Sequence, residues 1–216
     1  MIKLIVCGIY GRMGHAIVDV VKNDFLNCEV VGGIVKEKEE RQIDVPVFTS
    51  QDEINIDWDA IIDVSAPETL DFLLSLDSYK NKKLIIGTTG YTERQKSKIE
   101  DLALTSQVRY VPNASILFNS TLKAIKMIQK NFPDADTGIL DIHHAKKLDA
   151  PSGTAKLVFD EISKISNKKP RISSFRLGQH GAYLEVYIQN NTELLKISFS
   201  AGSLTEFARG LVAFCL

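Results

Sequence analysis

The residues best suited to chemistry lie in segment 143–154, which reads HHAKKLDAPSGT. A histidine can move a proton near neutral pH, because its unperturbed pKa is about 6.5. Ser152 is a favourable helix N-cap, so a helix starting there would offer the backbone amides of Gly153 and Thr154 to a ligand. Those amides and the ammonium of Lys147 suit a carboxylate. The segment predicts a proton-transfer site for an acidic substrate, and the alternative is a capped helix after a polar turn.

A second candidate site follows the first apolar stretch, where Gly8, Gly11 and Gly14 have the spacing G-x-x-G-x-x-G. Glycines let a phosphate approach backbone amides, and the helix that follows directs its positive end at that phosphate. Tyr10 stands where the common dinucleotide fingerprint has glycine, so a tight turn without a ligand remains an alternative. The run GTTG at 87–90 follows a later strand, and ligands of doubly wound sheets bind outside the carboxyl ends of strands.

The residues after the second predicted strand bear on the choice of cofactor. An Asp or Glu at this strand end would bond the adenosine ribose and disfavour a 2′-phosphate. Lys36 occupies the position, although Glu37 follows it, and Lys36 and Lys38 could meet a 2′-phosphate. Solvated lysines are the alternative. The sequence favours use of both NADH and NADPH, with a lean toward NADPH.

An alternation of strand-like and helix-like segments carries both glycine loops. The pattern predicts strands at 2–7, 29–35, 60–64, 84–86 and 108–111 and helices at 13–23, 67–75 and 92–106. Fully apolar strands that alternate with helices indicate a parallel sheet with both faces covered. The first part of the chain is therefore predicted to be a Rossmann-like, doubly wound α/β domain.

The pattern changes after Asn113, where strands begin to follow one another directly. Helices are predicted at 120–132 and 152–166, and strands at 137–143, 171–177, 182–189 and 193–201. Successive strands indicate a smaller α+β domain with a mixed sheet. We therefore expect a dinucleotide-binding domain at 1–115 and a substrate-binding and oligomerisation domain at 116–203. A final helix at 204–216 could complete the first domain or pack on the second.

The composition excludes several classes of protein. The 216 residues include 26 Lys and Arg against 27 Asp and Glu, so no basic field attracts nucleic acid. No apolar run approaches the roughly 18 residues of a membrane span, and we expect the N-terminal stretch not to be a signal peptide. Cys7, Cys28 and Cys215 lie in apolar runs without metal-ligand spacing. We expect buried thiols in a reducing cytoplasm and no metal.

The pattern H-H-x-x-K-x-D-A-P-S-G-T-A at 143–155 resembles the signature of the 4-hydroxy-tetrahydrodipicolinate reductase (dihydrodipicolinate reductase) family of the diaminopimelate–lysine pathway. The resemblance extends to G-x-x-G-R-M-G at 8–14 and G-T-T-G at 87–90. It also includes V-P-N-A-S at 111–115 and F-A-R-G at 207–210. It therefore spans nearly the whole chain in the family's order.

The resemblance implies a reductase that takes NADH, NADPH or both and packs as a homotetramer through its C-terminal sheet. His143 is then the proton donor or acceptor and Lys147 the second proton-donor candidate. The implied substrate-binding residues are His144, Gly153 and Thr154. The implied cofactor-binding residues, with Lys36 added from the strand end, are Gly8, Ile9, Tyr10, Gly11, Arg12, Met13, Gly87, Thr88, Thr89, Val111, Pro112, Asn113 and Ala114.

The resemblance also implies a mechanism. The substrate is a cyclic imine with two carboxylates, which loses water to give a conjugated ring. Hydride adds to the ring, and the resulting enamine takes up a proton, which a histidine can deliver. Lys147 and the helix start would neutralise carboxylate charge. Closure about hinges near Ser115 and Ser203 would bring cofactor and substrate together.

The chain departs from the family pattern at its late H-x-A-x-S-R stretch, where Phe199 and Leu204 replace the His and the Arg. The loop at 176–180 is also shorter, and the sequence stops at Leu216. These differences leave a catalytically degenerate nucleotide-binding paralogue as one alternative. Another two-domain dehydrogenase, such as one acting on an amino-acid semialdehyde, is a second. That enzyme would need a nucleophilic cysteine beside segment 143–154, and none of the three cysteines lies there.

Overall fold

A computed structural model describes residues 1–38, 43–76, 82–179, 181–201 and 203–216. The chain divides into two compact units. Unit 1 comprises Met1–Ser115 and Leu204–Leu216, and unit 2 comprises Ile116–Ser203. The part of the chain that is described contains no helix long and apolar enough to cross a membrane.

Unit 1 is built on a six-stranded parallel sheet. Its strands are β1 (Ile2–Cys7), β2 (Cys28–Ile34), β3 (Val47–Phe48), β4 (Ala60–Asp63), β5 (Lys83–Ile86) and β6 (Val108–Tyr110). The order across the sheet is β3-β2-β1-β4-β5-β6, so the chain reverses its winding direction between β1 and β4. Ligands of such sheets bind at this switch point.

Helices cover both faces of that sheet. They are α1 (Arg12–Asp24), α2 (Leu70–Ser75), which follows a 3₁₀ turn at Pro67–Thr69, α3 (Glu93–Ala103) and α6 (Thr205–Ala213). One apolar cluster joins strand residues such as Leu4 to α1 and α6, and a second joins Ile5 and its neighbours to α2 and α3. Burial on both sides explains why the strands are continuously apolar. The predicted Rossmann-like class is confirmed.

Helix α6 packs against α1, and its backbone closely approaches the loop after β6. A Cβ atom added at Gly210 would lie 1.8 Å from the carbonyl oxygen of Ala114, so only glycine fits there. Arg209, on the same helix, pairs with Asp24 at the end of α1. The F-A-R-G run at 207–210 therefore has a packing role within unit 1.

Unit 2 is a four-stranded mixed sheet with helices on one face. Its elements are α4 (Ile116–Asn131), β7 (Asp136–His143), α5 (Gly153–Ser163), β8 (Arg171–Arg176), β9 (Ala182–Gln189) and β10 (Leu194–Ala201). The order is β10-β9-β7-β8; β7 and β8 are parallel, and the other pairs are antiparallel. Residues of α4 and α5, including Phe118 and Val158, pack on Ile139, Leu184 and Val186. The smaller α+β unit with a mixed sheet is likewise confirmed.

The largest differences from the sequence-based prediction are at the start of α4 and at β3. Helix α4 starts at Ile116 rather than at residue 120, and the exposed Ile116 and Leu117 break the amphipathic pattern there. The edge strand β3 was not predicted, because two residues carry no periodicity. The charge run at 36–41 was predicted as a solvated turn, and its residues 39–41 lie outside the described residues, as does residue 180 of the shortened loop.

Candidate functional site

The loop from β1 to α1 is shaped for a close ligand. Gly8 has a φ of +86°, and a Cβ atom added there would lie 2.8 Å from the carbonyl oxygen of Val64. Both the conformation and the space exclude a side chain. Gly11 caps α1 without a side chain, so the first backbone amides of that 13-residue helix have no side-chain acceptor at the N-cap. The loop therefore fits the pyrophosphate of a dinucleotide.

A cavity of about 910 Å³ lies on one side of this loop. Four residues predicted from the sequence line it: Gly8, Tyr10, Gly11 and Lys36. Glu37 lines it as well, whereas Lys38 pairs with Asp52 at 3.2 Å. Among the described residues that line this cavity, Lys36 is the one cation.

A second cavity of about 250 Å³ adjoins the first, since Val64 and Ser65 line both. Seven sequence-predicted residues line it: Met13, Gly87, Thr88, Thr89, Val111, Pro112 and Ala114. Phe207 and Leu211 of α6 also line it, although neither was predicted as a site residue. The F-A-R-G motif contains Phe207, so the motif was the available signal. Two adjoining cavities suit the two halves of a dinucleotide.

The remaining residues predicted for the cofactor lie around these cavities in different ways. The side chain of Ile9 is fully buried in the core, and Arg12 is exposed at the start of α1. Asn113 is buried, and its side-chain oxygen accepts a hydrogen bond from the backbone amide of Ser115 at 3.0 Å. Ile9 can thus offer only backbone atoms to a ligand, while Asn113 shapes the turn beside the second cavity.

A buried carboxylate, Asp63, holds Ser65, which lines both cavities. It accepts hydrogen bonds from the backbone amide and hydroxyl of Ser65, at 3.1 and 2.5 Å, and from the hydroxyl of Tyr91 at 3.1 Å. Burial and the nearby Asp63 charge raise the pKa of Tyr91, so this hydroxyl remains a donor. Tyr91 directly follows the GTTG loop, and the bond to Asp63 fixes that loop against the end of β4.

The cassette at 143–154 lies in unit 2, between the end of β7 and the start of α5. His143 is the last residue of β7, and its side chain is 14% exposed. The ammonium of Lys147 lies 2.7 Å from Oδ1 of Asp149. The carbonyl oxygen of His144 accepts a hydrogen bond from the amide of Lys147 at 3.1 Å, which folds the segment into a turn. The ammonium of Lys147 therefore faces a carboxylate from the same segment.

Helix α5 begins with a side-chain cap, as the sequence predicts. The hydroxyl oxygen of Ser152 accepts a hydrogen bond from the amide of Ala155 at 3.2 Å. Gly153 is only half-buried, and among the described residues no atom lies within 4 Å of a Cβ added there. Thr154 follows it in the first turn. The start of α5 leaves room for a ligand group against its backbone.

Asp141, which was not predicted from the sequence, is the centre of a hydrogen-bond cluster beneath the cassette. Its fully buried carboxylate accepts from the amide and hydroxyl of Ser152, at 3.0 and 2.7 Å, and from the hydroxyl of Ser174 at 3.1 Å. Arg176 donates to it at 3.1 Å. Burial by itself would raise the pKa of Asp141, but the bonds from Ser152 and Arg176 outweigh it and lower that pKa.

The pKa of His143 is lowered from its ordinary value. Burial lowers it first, the Asp141 carboxylate opposes that effect, and the charges of Lys147 and Arg176 lower it further. The imidazole is therefore neutral at pH 7 and can gain a proton at lower pH. Residues two apart on a strand share a face, so Asp141 was detectable from its spacing to His143. Arg176 had no comparable signal.

Two family models match the chain in succession. The model described as "Dihydrodipicolinate reductase, N-terminus" matches residues 2–114, and "Dihydrodipicolinate reductase, C-terminus" matches residues 117–216.

Two relatives, aligned over most of their length, belong to the same family as these models. A 4-hydroxy-tetrahydrodipicolinate reductase of Clostridium novyi (strain NT) is 33% identical over 236 aligned residues, which cover 100% of this chain and 92% of that relative. One from Xanthomonas euvesicatoria pv. vesicatoria is 31% identical over 212 residues, covering 97% and 88%.

A solved structure shares the fold. It is a dihydrodipicolinate reductase from Paenisporosarcina sp. TG-14 with dipicolinate bound. Its TM-score is 0.75 at 24% identity, over 100% of this chain and 93% of that one. Because the two family models together span both units and a relative is 33% identical over the full length, the chain belongs to the dihydrodipicolinate reductase family.

Proposed function

We propose that this protein reduces 4-hydroxy-tetrahydrodipicolinate, by way of dihydrodipicolinate, to tetrahydrodipicolinate. The family is one of nicotinamide-dependent oxidoreductases of lysine biosynthesis, and the match covers both units. The observation that carries the proposal is the cassette, where His143, Lys147 and the start of α5 lie on one short segment. A dicarboxylate that must be protonated after reduction fits those groups.

The proposed cofactor site is the pair of adjoining cavities in unit 1. Gly8, Ile9, Tyr10, Gly11, Arg12 and Met13 would hold the pyrophosphate. Gly87, Thr88 and Thr89, with Val111, Pro112, Asn113 and Ala114, would surround the nicotinamide ribose. The support is the lining of the two cavities and the side-chain-free approach at Gly8. A bound reduced nicotinamide supplies the hydride.

We propose that both NADPH and NADH are used, with a lean toward NADPH. Lys36 lines the larger cavity, whereas Lys38 is held by Asp52, so the cation available to a 2′-phosphate is Lys36. Glu37 lines the same cavity and can bond a ribose hydroxyl, which keeps NADH in use. Steady-state kinetics with each cofactor test this proposal. A strong preference for NADH would refute the proposed preference for NADPH.

The residues of unit 2 are proposed to bind and protonate the substrate. The amides of Gly153 and Thr154, with His144, would hold one carboxylate, and the ammonium of Lys147 would neutralise negative charge that develops in the ring. His143 would transfer the proton that converts the enamine to product. Phe199 and Leu204 stand where the family has its late His and Arg. The substrate charge therefore depends more on Lys147 here.

We further propose that the chain forms a homotetramer through the sheet of unit 2 and works in the cytoplasm. The face of that sheet opposite α4 and α5 leaves Phe175 and Leu194 exposed, which supports packing by further copies of the chain. The three cysteines are free and buried, as in a reducing compartment. Sedimentation of the purified protein tests the assembly.

The test of the reaction is oxidation of NADPH or NADH by the purified protein with freshly made substrate. We expect consumption of the reduced nicotinamide that depends on both substrate and protein. If the protein binds the cofactor but oxidises none in the presence of substrate, the proposed reaction is wrong. A catalytically degenerate paralogue then becomes the better interpretation.

A further inference from the structure

We propose that Asp141 is a positioning residue that fixes the ring orientation and tautomer of His143, and that Arg176 balances the charge of this buried carboxylate. The inference rests on the proposed function in one respect, because His143 is the proton-transfer residue there. The geometry of the pair itself is independent of the reaction.

The strand places Asp141 where it can act on His143. Both residues lie on β7 and point to the same face of the sheet, since they are two apart. Oδ1 of Asp141 lies 2.9 Å from Nδ1 of His143. The carboxylate is fully buried and is held by Ser152 and Ser174, from two different elements, so it has little freedom to turn away.

The Nδ1 atom of His143 has no other hydrogen-bond acceptor or donor among the described residues. It is buried and makes no well-aligned hydrogen bond to any of them, although Asp141 is within hydrogen-bonding distance. A buried N–H without an acceptor is costly, and a histidine ring turns easily about its last torsion. Catalytic hydrogen bonds are often poorly aligned before substrate binds and tighten in the complex. Asp141 is therefore the acceptor to which Nδ1–H can turn.

Arg176 completes the arrangement from the neighbouring strand. The parallel register pairs Arg176 with His143, and its guanidinium donates to Oδ2 of Asp141 at 3.1 Å. The same guanidinium nitrogen donates to the carbonyl oxygen of Asp149. Arg176 thus ties the carboxylate beneath His143 to the loop that carries Lys147. A fully buried carboxylate without this partner would be an uncompensated charge.

These contacts have a consequence for the proton. When Nδ1 carries its hydrogen toward Asp141, Nε2 is the ring atom left to exchange a proton with substrate. The charged groups that face His143 are Asp141, Asp149, Lys147 and Arg176. The two carboxylates favour the protonated ring and the two cations oppose it. Removing the Asp141 charge therefore makes the imidazolium harder to form.

The test combines NMR of the imidazole nitrogens with kinetics. In the wild-type protein without substrate, we expect the neutral His143 ring to carry its proton on Nδ1. Asp141→Asn should lower the pKa of His143 and reduce kcat at pH 7 about tenfold or more, while the KM for NADPH stays unchanged. Asp160→Asn is the matched control, because Asp160 is exposed on α5 of the same unit.

Three results would overturn the inference. The first is a neutral wild-type ring that carries its proton on Nε2, which can be measured even if Asp141→Asn fails to fold. The second is a folded Asp141→Asn protein in which the pKa of His143 is unchanged. The third is a loss of kcat that Asp160→Asn reproduces. The NMR measurement needs no substrate, so it tests the pairing of His143 with Asp141 separately from the reaction. If the wild-type protein is inactive but carries the Nδ1 proton, the proposed reaction is wrong and the pairing is still supported.

Discussion

Each proposed proton-transfer residue is paired with a carboxylate from its own neighbourhood. His143 faces Asp141 on the same strand, and Lys147 faces Asp149 two residues further along the loop. Burial would raise the pKa of Asp149, but the bond to Lys147 and its charge lower it, so this carboxyl is ionised at neutral pH. The pairs hold flexible groups in defined orientations, which is what proton transfer at a fixed ring atom needs.

Replacing His143 by Gln should reduce kcat by about 10²–10⁴-fold, the usual contribution of a general acid or base. The affinity for NADPH should stay unchanged, because the cavities proposed for it lie in unit 1. Steady-state kinetics and a cofactor titration measure the two effects. Full turnover in His143→Gln together with a large loss in His144→Gln would show that the roles of the two histidines are reversed.

The pH dependence of kcat follows from the lowered pKa of His143. Burial and the charges of Lys147 and Arg176 keep the ring neutral until the pH falls below its ordinary pKa of about 6.5. If the ring donates the proton, kcat with saturating substrates should rise as the pH is lowered from 8 through this region. A kcat that rises with pH over the same range would identify His143 as a base instead.

Lys147→Ala should raise the KM for substrate about tenfold or more, since a charge-assisted hydrogen bond contributes roughly 1.5–3 kcal/mol. It should also lower kcat if the ammonium stabilises the developing negative charge. Lys147→Arg should restore only part of the loss, because a planar guanidinium does not superimpose on a compact ammonium. The exposed Lys130→Ala in unit 2 is the control. A wild-type KM in Lys147→Ala would place the substrate elsewhere.

The cofactor proposal depends on the backbone at the start of α1. Gly11→Asp should leave the fold intact, because Gly11 has φ −76° and ψ 163°, which Asp adopts at helix N-caps. Its new Cβ would lie 3.1 Å from the carbonyl oxygen of Gly8, which needs only a small shift. The carboxylate would repel a pyrophosphate and weaken NADPH binding about tenfold or more.

A fluorescence titration measures the affinity of Gly11→Asp for NADPH, and a thermal melt shows whether its fold is intact. Asn27→Asp adds the same charge at an exposed position of unit 1 and should bind NADPH normally. Equal affinities in Gly11→Asp and the wild type would mean that the dinucleotide does not use this loop.

The strands of unit 1 were predictable because burial on both faces requires continuous apolar runs. Strand β1 occupies Ile2–Cys7, as predicted. The start of α4 was not predictable, because Ile116 and Leu117 are exposed apolar residues without helical periodicity. Tertiary packing rather than local pattern decides such ends.

Site residues that are close in the chain were predictable from the sequence, whereas those that the fold brings in from a distance were not. The cassette and the β1–α1 loop are contiguous, so their chemistry is visible in a motif. Phe207 and Leu211 reach the second cavity from the other end of the chain, and Arg176 reaches Asp141 through strand register. Pairing across a sheet is a property of topology that no single motif records.

The stability of the molecule in acid should depend on unit 2. Glu185, on the sheet face opposite the helices, is 4% exposed and accepts hydrogen bonds from Tyr183, at 2.5 Å, and from Tyr187. It also pairs with Lys196, and these bonds lower its pKa to about 2. The ordinary pKa of a glutamate in an unfolded chain is about 4.3. The carboxylate therefore stabilises the fold above about pH 4.3, and this contribution is lost as the pH falls toward 2.

Glu185→Gln should consequently lower the urea midpoint at pH 7 and lower it much less at pH 2.5, because wild-type Glu185 has by then lost most of its advantage over the neutral amide. The comparison needs urea titrations of both proteins between pH 2.5 and 7. Glu193→Gln, at an exposed position in the β9–β10 turn, should track the wild type throughout. The carboxylate would not stabilise the sheet if the midpoints of Glu185→Gln and wild type differed by the same amount at every pH.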